Sequence, residues 1–181
     1  ARGYEVHGAS RDAESNRFEN LDQLGLRDQV TLHSATPTDF RSVFQVVERV
    51  QPDEIFNLSG QSSVGLSFDE PAETLQSITL GTFNMLETMR VVGGDMRFYN
   101  ACSSDCFGNT DGVPADETTA FRPRSPYGVA KSAAFWAVAN YRESYGLFAC
   151  SGILFNHESP LRPARFVTRK IVGAACRIAA G

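Results

Sequence analysis

Four side chains of this 181-residue chain have the types and spacing to do chemistry on an alcohol. Tyr127 and Lys131 are four positions apart, so on a helix the phenol and the ammonium share one face, one turn apart. A positive charge beside a phenol favours phenolate, so the pair is expected to lower the Tyr127 pKa and make it a base toward a hydroxyl. Five Tyr and two Lys placed at random would give this spacing only roughly 0.06 times, so chance explains it poorly, although an exposed helix face with an incidental pair has the same spacing. Upstream, Ser103 and Asp105 directly follow the apolar run 97–102. A strand there would present a hydroxyl and a carboxylate at its carboxyl end, where open α/β sheets bind ligands. An ordinary turn uses the same residue types.

Lys131 and Lys170 are the only lysines among 17 basic residues, which makes each position informative. A net charge of -4 and a pI near 5.4 supply no basic stripe for nucleic acid, and no run approaches the roughly 18 apolar residues of a membrane span. Cys102, Cys106, Cys150 and Cys176 form neither a CxxC pair nor a zinc spacing, so no metal site is expected and they read as reduced thiols in a cytoplasmic protein. Ala1-Arg2-Gly3 carries no initiator Met or signal pattern, and Gly3 stands where a helix C-cap would precede a strand. The numbering is therefore expected to begin inside a longer polypeptide.

Positioning these side chains requires strands and helices in alternation. Short apolar runs predict strands over 4–9, 30–33, 54–58, 97–102 and 148–155. Helical spacing predicts a helix over 38–50 opened by Thr38, and a long one over 72–92 from Leu75, Ile78, Phe83, Leu86 and Met89. Ser125 and Pro126, an N-cap and a first-turn proline, predict a third helix from Tyr127's own neighbourhood to about Tyr145. A last helix is expected over 166–180. The β-α-β-α order argues for an α/β, doubly wound parallel sheet of the Rossmann-like class. Residues 1–155 are expected to form the dinucleotide-binding domain and 156–181 the start of a substrate-binding region.

Ser103, Tyr127 and Lys131, in that order, resemble the Ser/Thr, Tyr, Lys triad of extended short-chain dehydrogenases/reductases. Longer blocks resemble the GDP-mannose 4,6-dehydratases: 51–58 (QPDEIFNL), Gln61-Ser62 through Ser67-Phe68, Phe98-Tyr99, 123–127 (PRSPY), 140–146 (NYRESYG), 152–160 (GILFNHESP) and 166–170 (FVTRK). The resemblance covers nearly the whole chain. It implies that Tyr127 deprotonates a sugar C4 hydroxyl, that Ser103 holds that oxygen, that Lys131 binds the cofactor ribose, and that Asp105 removes the C5 proton before the C6 hydroxyl leaves as water. Ser10-Arg11 stands where an acidic residue would bind a ribose 2′-hydroxyl, and Arg11 suits a 2′-phosphate, so NADP is the expected cofactor. Leu58, Ser59, Gly60, Gln61 and Ser62 match the family's cofactor loop, and His157 a cofactor-side position. Ser62, Asn156, Arg162 and Lys170 match substrate-side positions, with Arg162 near enough to the phosphates to serve the cofactor as well. A homo-oligomer, dimer or tetramer, is expected, with the 72–92 helix and the Tyr127 helix as candidate faces.

Several positions depart from the family pattern. The fingerprint Gly-x-x-Gly-x-x-Gly is absent, Ala35-Thr36 replaces a Gly-Asp pair, Ser103 replaces Thr, and Asp105 replaces Glu, shortening the carboxylate's reach by about 1.5 Å. This stretch alone is expected not to turn over substrate. The same scaffold also serves epimerases and reductases, which need no carboxylate for elimination, and the departures leave open a non-catalytic family member.

Overall fold

The structure, a computed structural model, describes residues 3–164 and 166–181; the expected cap at Gly3 rests in part on Ala1 and Arg2, which lie outside them. Five parallel strands alternate with helices. Strand β1 (Val6–Ser10) pairs with β2 (Val30–Ser34), Val6 opposite Val30. Strands β3 (Glu54–Asn57), β4 (Arg97–Ser103) and β5 (Phe148–Leu154) form a second sheet in the order β3-β4-β5, with Asn57 opposite Asn100 and Ser103 opposite Leu154. Parallel strands cannot be joined by tight hairpins, so each connection crosses over through helical segments. In the doubly wound order one further strand, the one followed by the glycine-rich turn, stands between the strands corresponding to β1 and β3.

The short helix α1 (Glu19–Gln23) and a 3-10 turn (Arg27–Gln29) join β1 to β2, too short for periodicity to reveal them. Helix α2 (Phe40–Val50) is capped by Asp39 rather than Thr38: the carboxylate accepts from the Arg41 N–H at 3.0 Å. It buries Val43 and Val47, one turn apart, and stops at Gln51 in a left-handed conformation just before Pro52.

The expected helix over 72–92 is interrupted. After α3 (Leu66–Asp69), helix α4 (Pro71–Leu75) passes into a π turn (Gln76–Leu80) and then α5 (Gly81–Val92). Apolar spacing does not register one widened turn. The turn widens where the loop after β3 presses on it: a β-carbon on Gly60, whose φ is 105°, would lie 2.8 Å from Ile78 Cγ1 and 3.3 Å from the Ser77 carbonyl oxygen. Only glycine combines that φ with that approach.

Helix α6 (Pro126–Tyr145) follows the expected bounds, with Ser125 Oγ accepting from the Gly128 N–H at 3.0 Å and Gly146 closing it in the left-handed region. Helix α7 (Val167–Ala180) ends the chain's regular structure. The core lies between α2, α5, α6 and the second sheet, built on Val43, Val47, Leu86, Met89, Phe98 and Val138. A second cluster of Ile78, Ala130 and Ala134 packs under Tyr127 and fixes its ring on α6.

Candidate active site

The end of β4 and the start of α6 meet at the predicted residues. Ser103, the last residue of β4, is buried, and a 3-10 turn (Ser104–Cys106) follows it. Ser103 Oγ donates to Asp105 Oδ2 at 2.9 Å and accepts from the Asp105 N–H at 3.2 Å, so the carboxylate folds back onto the hydroxyl two residues upstream. The turn packs closely on the first turn of α6, where a β-carbon on Gly128 would lie 2.8 Å from the Asp105 carbonyl oxygen. Lys131 is buried, donates from Nζ to the Ala101 carbonyl at 2.7 Å, and holds Nζ 5.8 Å from the centre of the Tyr127 ring. Ser103, Asp105, Tyr127 and Lys131 thus converge at the carboxyl end of the second sheet, as the sequence predicts.

Their electrostatics correct one expectation. Burial raises the Tyr127 pKa above 10.0; the Ser103 hydroxyl pulls it back and Asp105 pushes it further up. Burial also lowers the Lys131 pKa below 10.5, and its ammonium is directed at a backbone carbonyl. Helical spacing predicts proximity; it does not predict the desolvation that opposes charge on both partners.

The loop after β3 is held by its own polar groups. Asn57 Nδ2 donates to Asn100 Oδ1 at 2.9 Å, and Ser59 Oγ donates to Asn57 Oδ1 at 2.6 Å. The Gln61 amide donates to the Ser63 carbonyl at 2.7 Å and to Thr74 Oγ1 at 3.2 Å, while the Gln61 N–H donates to Ser77 Oγ at 3.2 Å. Gln61 therefore shapes the loop that holds Leu58, Ser59, Gly60 and Ser62 rather than offering a free side chain. Arg11 lies exposed just beyond the carboxyl end of β1.

The substrate-side predictions lie beyond β5. Asn156, His157 and Lys170 are exposed, with His157 Nδ1 2.9 Å from the Phe155 carbonyl oxygen. Arg162 Nε is 3.4 Å from Glu158 Oε2, and its guanidinium carbon is 3.8 Å from the centre of the Phe166 ring. Its charge is thus matched internally by Glu158.

A cavity of about 640 Å³ opens beside Asp105, lined by Ser104, Phe68, Phe107, Arg124 and Phe155 among others. The sequence motifs assign no role to Arg124 or to the three phenylalanines. Arg124 adjoins the Ser125 cap, and the one signal was its place inside the 123–127 block. Among the described residues no group of three or more His, Cys, Asp or Glu side chains could hold a metal ion, and no helix is long and apolar enough to cross a membrane.

The model of the family described as GDP-mannose 4,6 dehydratase matches residues 1–181. A GDP-mannose 4,6-dehydratase of Vibrio cholerae is 45% identical over 188 residues, covering 100% of this chain and 50% of the relative. The chain thus spans about half the length of the curated relatives it matches. Among solved structures, a double mutant of a dTDP-glucose 4,6-dehydratase from Streptomyces venezuelae, with NAD bound, superposes with a TM-score of 0.85 at 17% identity, over 96% of this chain and 53% of that one. RMD from Pseudomonas aeruginosa, complexed with NADPH, gives a TM-score of 0.74 at 26% identity over 97% of this chain and 61% of that one. The first of these shows the fold alone.

Proposed function

The chain belongs to the GDP-mannose 4,6-dehydratase family, and from that premise we propose that the full-length protein converts GDP-mannose to its 4-keto-6-deoxy derivative with NADP. The observation that carries the reading is the Asp105 carboxylate, held 2.9 Å from Ser103 Oγ at the end of β4 against the helix bearing Tyr127 and Lys131. A carboxylate at that place is what an elimination needs and a simple alcohol oxidation does not.

The residues present suit a dinucleotide. Arg11 is free of burial at the end of β1, and Lys131 keeps two N–H donors beyond its bond to Ala101. Residues 1–155 would form the cofactor side and 156–181 the beginning of the substrate side, with Ser62, Asn156, Arg162 and Lys170 reaching the nucleotide sugar. His157 and Arg162 would serve the cofactor, and the unpaired thiols fit a cytoplasmic protein. A bound nicotinamide supplies the hydride acceptor at C4 and the hydride donor at C6.

Tyr127 takes the C4 hydroxyl proton onto its phenolate oxygen while Ser103 Oγ fixes that oxygen. The C4 ketone acidifies C5–H, and an Asp105 oxygen accepts the C5 proton. The same acid then protonates the departing C6 hydroxyl, which leaves as water. For Tyr127 to ionise, its burial cost must be offset, and the Ser103 hydroxyl and the remaining N–H donors of Lys131 are the groups placed to do so. Incubating the full-length protein with GDP-mannose and NADP, followed by mass spectrometry, tests this: the nucleotide sugar should lose the mass of one water. An unchanged mass, or an isomer of it, would overturn the dehydratase reading.

A further inference from the structure

Cys102 and Cys106 bracket the catalytic turn. Cys102 lies in β4, Cys106 closes the following 3-10 turn, and both are buried with their Sγ atoms 3.4 Å apart. Each thiol also reaches the helix opposite: Cys102 Sγ lies 3.7 Å from the Lys131 carbonyl oxygen and Cys106 Sγ 3.9 Å from that of Gly128. The pair therefore fills the seam between the turn carrying Ser103 and Asp105 and the helix carrying Tyr127 and Lys131. A disulfide bond is about 2.05 Å long, so joining the sulfurs takes about 1.4 Å of approach. The residues enclosed by that bond would be Ser103, Ser104 and Asp105.

We propose that Cys102 and Cys106 form an oxidative modification site, in which a peroxide converts the dithiol to a disulfide that displaces Ser103 and Asp105 and halts turnover until a thiol reductant reopens it. The consequence for turnover rests on the site reading above; the bond itself does not. Cys106 is the attacking sulfur: the hydrogen bond shared with Cys102 lowers its pKa against the cost of burial, and it is the thiol on the turn whose residues line the cavity. The Cys106 thiolate attacks one oxygen of hydrogen peroxide, the O–O bond breaks, and hydroxide leaves, giving a sulfenic acid. The Cys102 sulfur then attacks the Cys106 sulfur, and the sulfenic oxygen departs as water with the Cys102 proton. The dithiol has lost two electrons and two protons, and the peroxide has become two waters. Ser104, Asp105 and Phe107, the neighbours of Cys106, line the cavity beside the turn, which sets the cavity wall one residue from the buried Cys106 on either side. A disulfide also needs a Cβ–S–S–Cβ dihedral near 90°, which adds rotation of the two side chains to that approach of the sulfurs.

Cys150 and Cys176 are exposed and would consume oxidant first, so the test uses the full-length protein carrying C150S and C176S. After hydrogen peroxide and alkylation, the tryptic peptide 98–124 should be lighter by two hydrogens and unalkylated, and dithiothreitol should restore both thiols. Turnover should fall at least about tenfold and return with reduction, whereas adding Cys106→Ala should leave the activity resistant to peroxide. Full alkylation of both cysteines in the treated peptide would overturn the proposal even if Cys106→Ala fails to fold. Inactivation of Cys106→Ala at the parent's rate would overturn the link to turnover. If the protein shows no dehydratase activity at all, the site reading fails while the peptide mass still decides the disulfide.

Discussion

On the proposed reading Asp105 separates elimination from the other chemistries of the scaffold, and its carboxylate is bonded to Ser103 Oγ at 2.9 Å. Asp105→Asn should lower kcat by about 10²–10⁴-fold while leaving NADP affinity unchanged, read by steady-state kinetics beside a cofactor titration; retained turnover would point to an epimerase or reductase. Lys131 tests the electrostatics. Its pKa is held below 10.5 by burial, so the folded chain binds fewer protons there than the unfolded chain, and this group's contribution to stability rises with pH until about 10.5. At neutral pH folding therefore bears the cost of burying a charge. Lys131→Met should unfold at higher urea than the parent near pH 7, with the gap closing as pH approaches 10, while activity is lost; a less stable variant at neutral pH would contradict the burial account. The spacing of Tyr127 and Lys131 made the pair legible in the sequence. The raised Tyr127 pKa was not, because desolvation depends on Ile78, Ala130 and Ala134, which come from two separate segments.

Among the elements, α6 was the most legible because Ser125, Pro126 and Gly146 mark both of its ends by local chemistry. The 72–92 segment was legible as helical but not as interrupted, since the π turn answers to Gly60 in a distant loop. The same contrast explains Cys102 and Cys106: a four-residue separation matches no metal or redox motif, and only the strand-to-turn geometry brings the sulfurs to 3.4 Å. The helices hold the site through one shared core. Leu86 on α5 is fully buried among α2, α6 and the second sheet, so Leu86→Ala should cost about 2–5 kcal/mol, measured by urea denaturation. A cost under about 1 kcal/mol would mean that α5 does not anchor the sheet that presents Ser103.

For the molecule as a whole, the parallel β-α alternation was legible in the sequence, while the register of each strand pair was not, because pairing depends on strands distant in the chain. Helices α5 and α6, the expected dimer faces, leave Phe83, Val129 and Trp136 exposed, Trp136 at 62%. If the full-length protein self-associates through this face, Trp136→Asp should shift it to a smaller species in size-exclusion chromatography; unchanged elution would contradict that use of the face. The central claim is that this scaffold moves a hydride within one substrate molecule while Asp105 exchanges a proton at C5. GDP-mannose deuterated at C4 tests it directly, by mass spectrometry and NMR of the product formed by the full-length protein. The account predicts a product short of one water with the deuterium now at C6; deuterium retained at C4, or lost to solvent without loss of water, would contradict it.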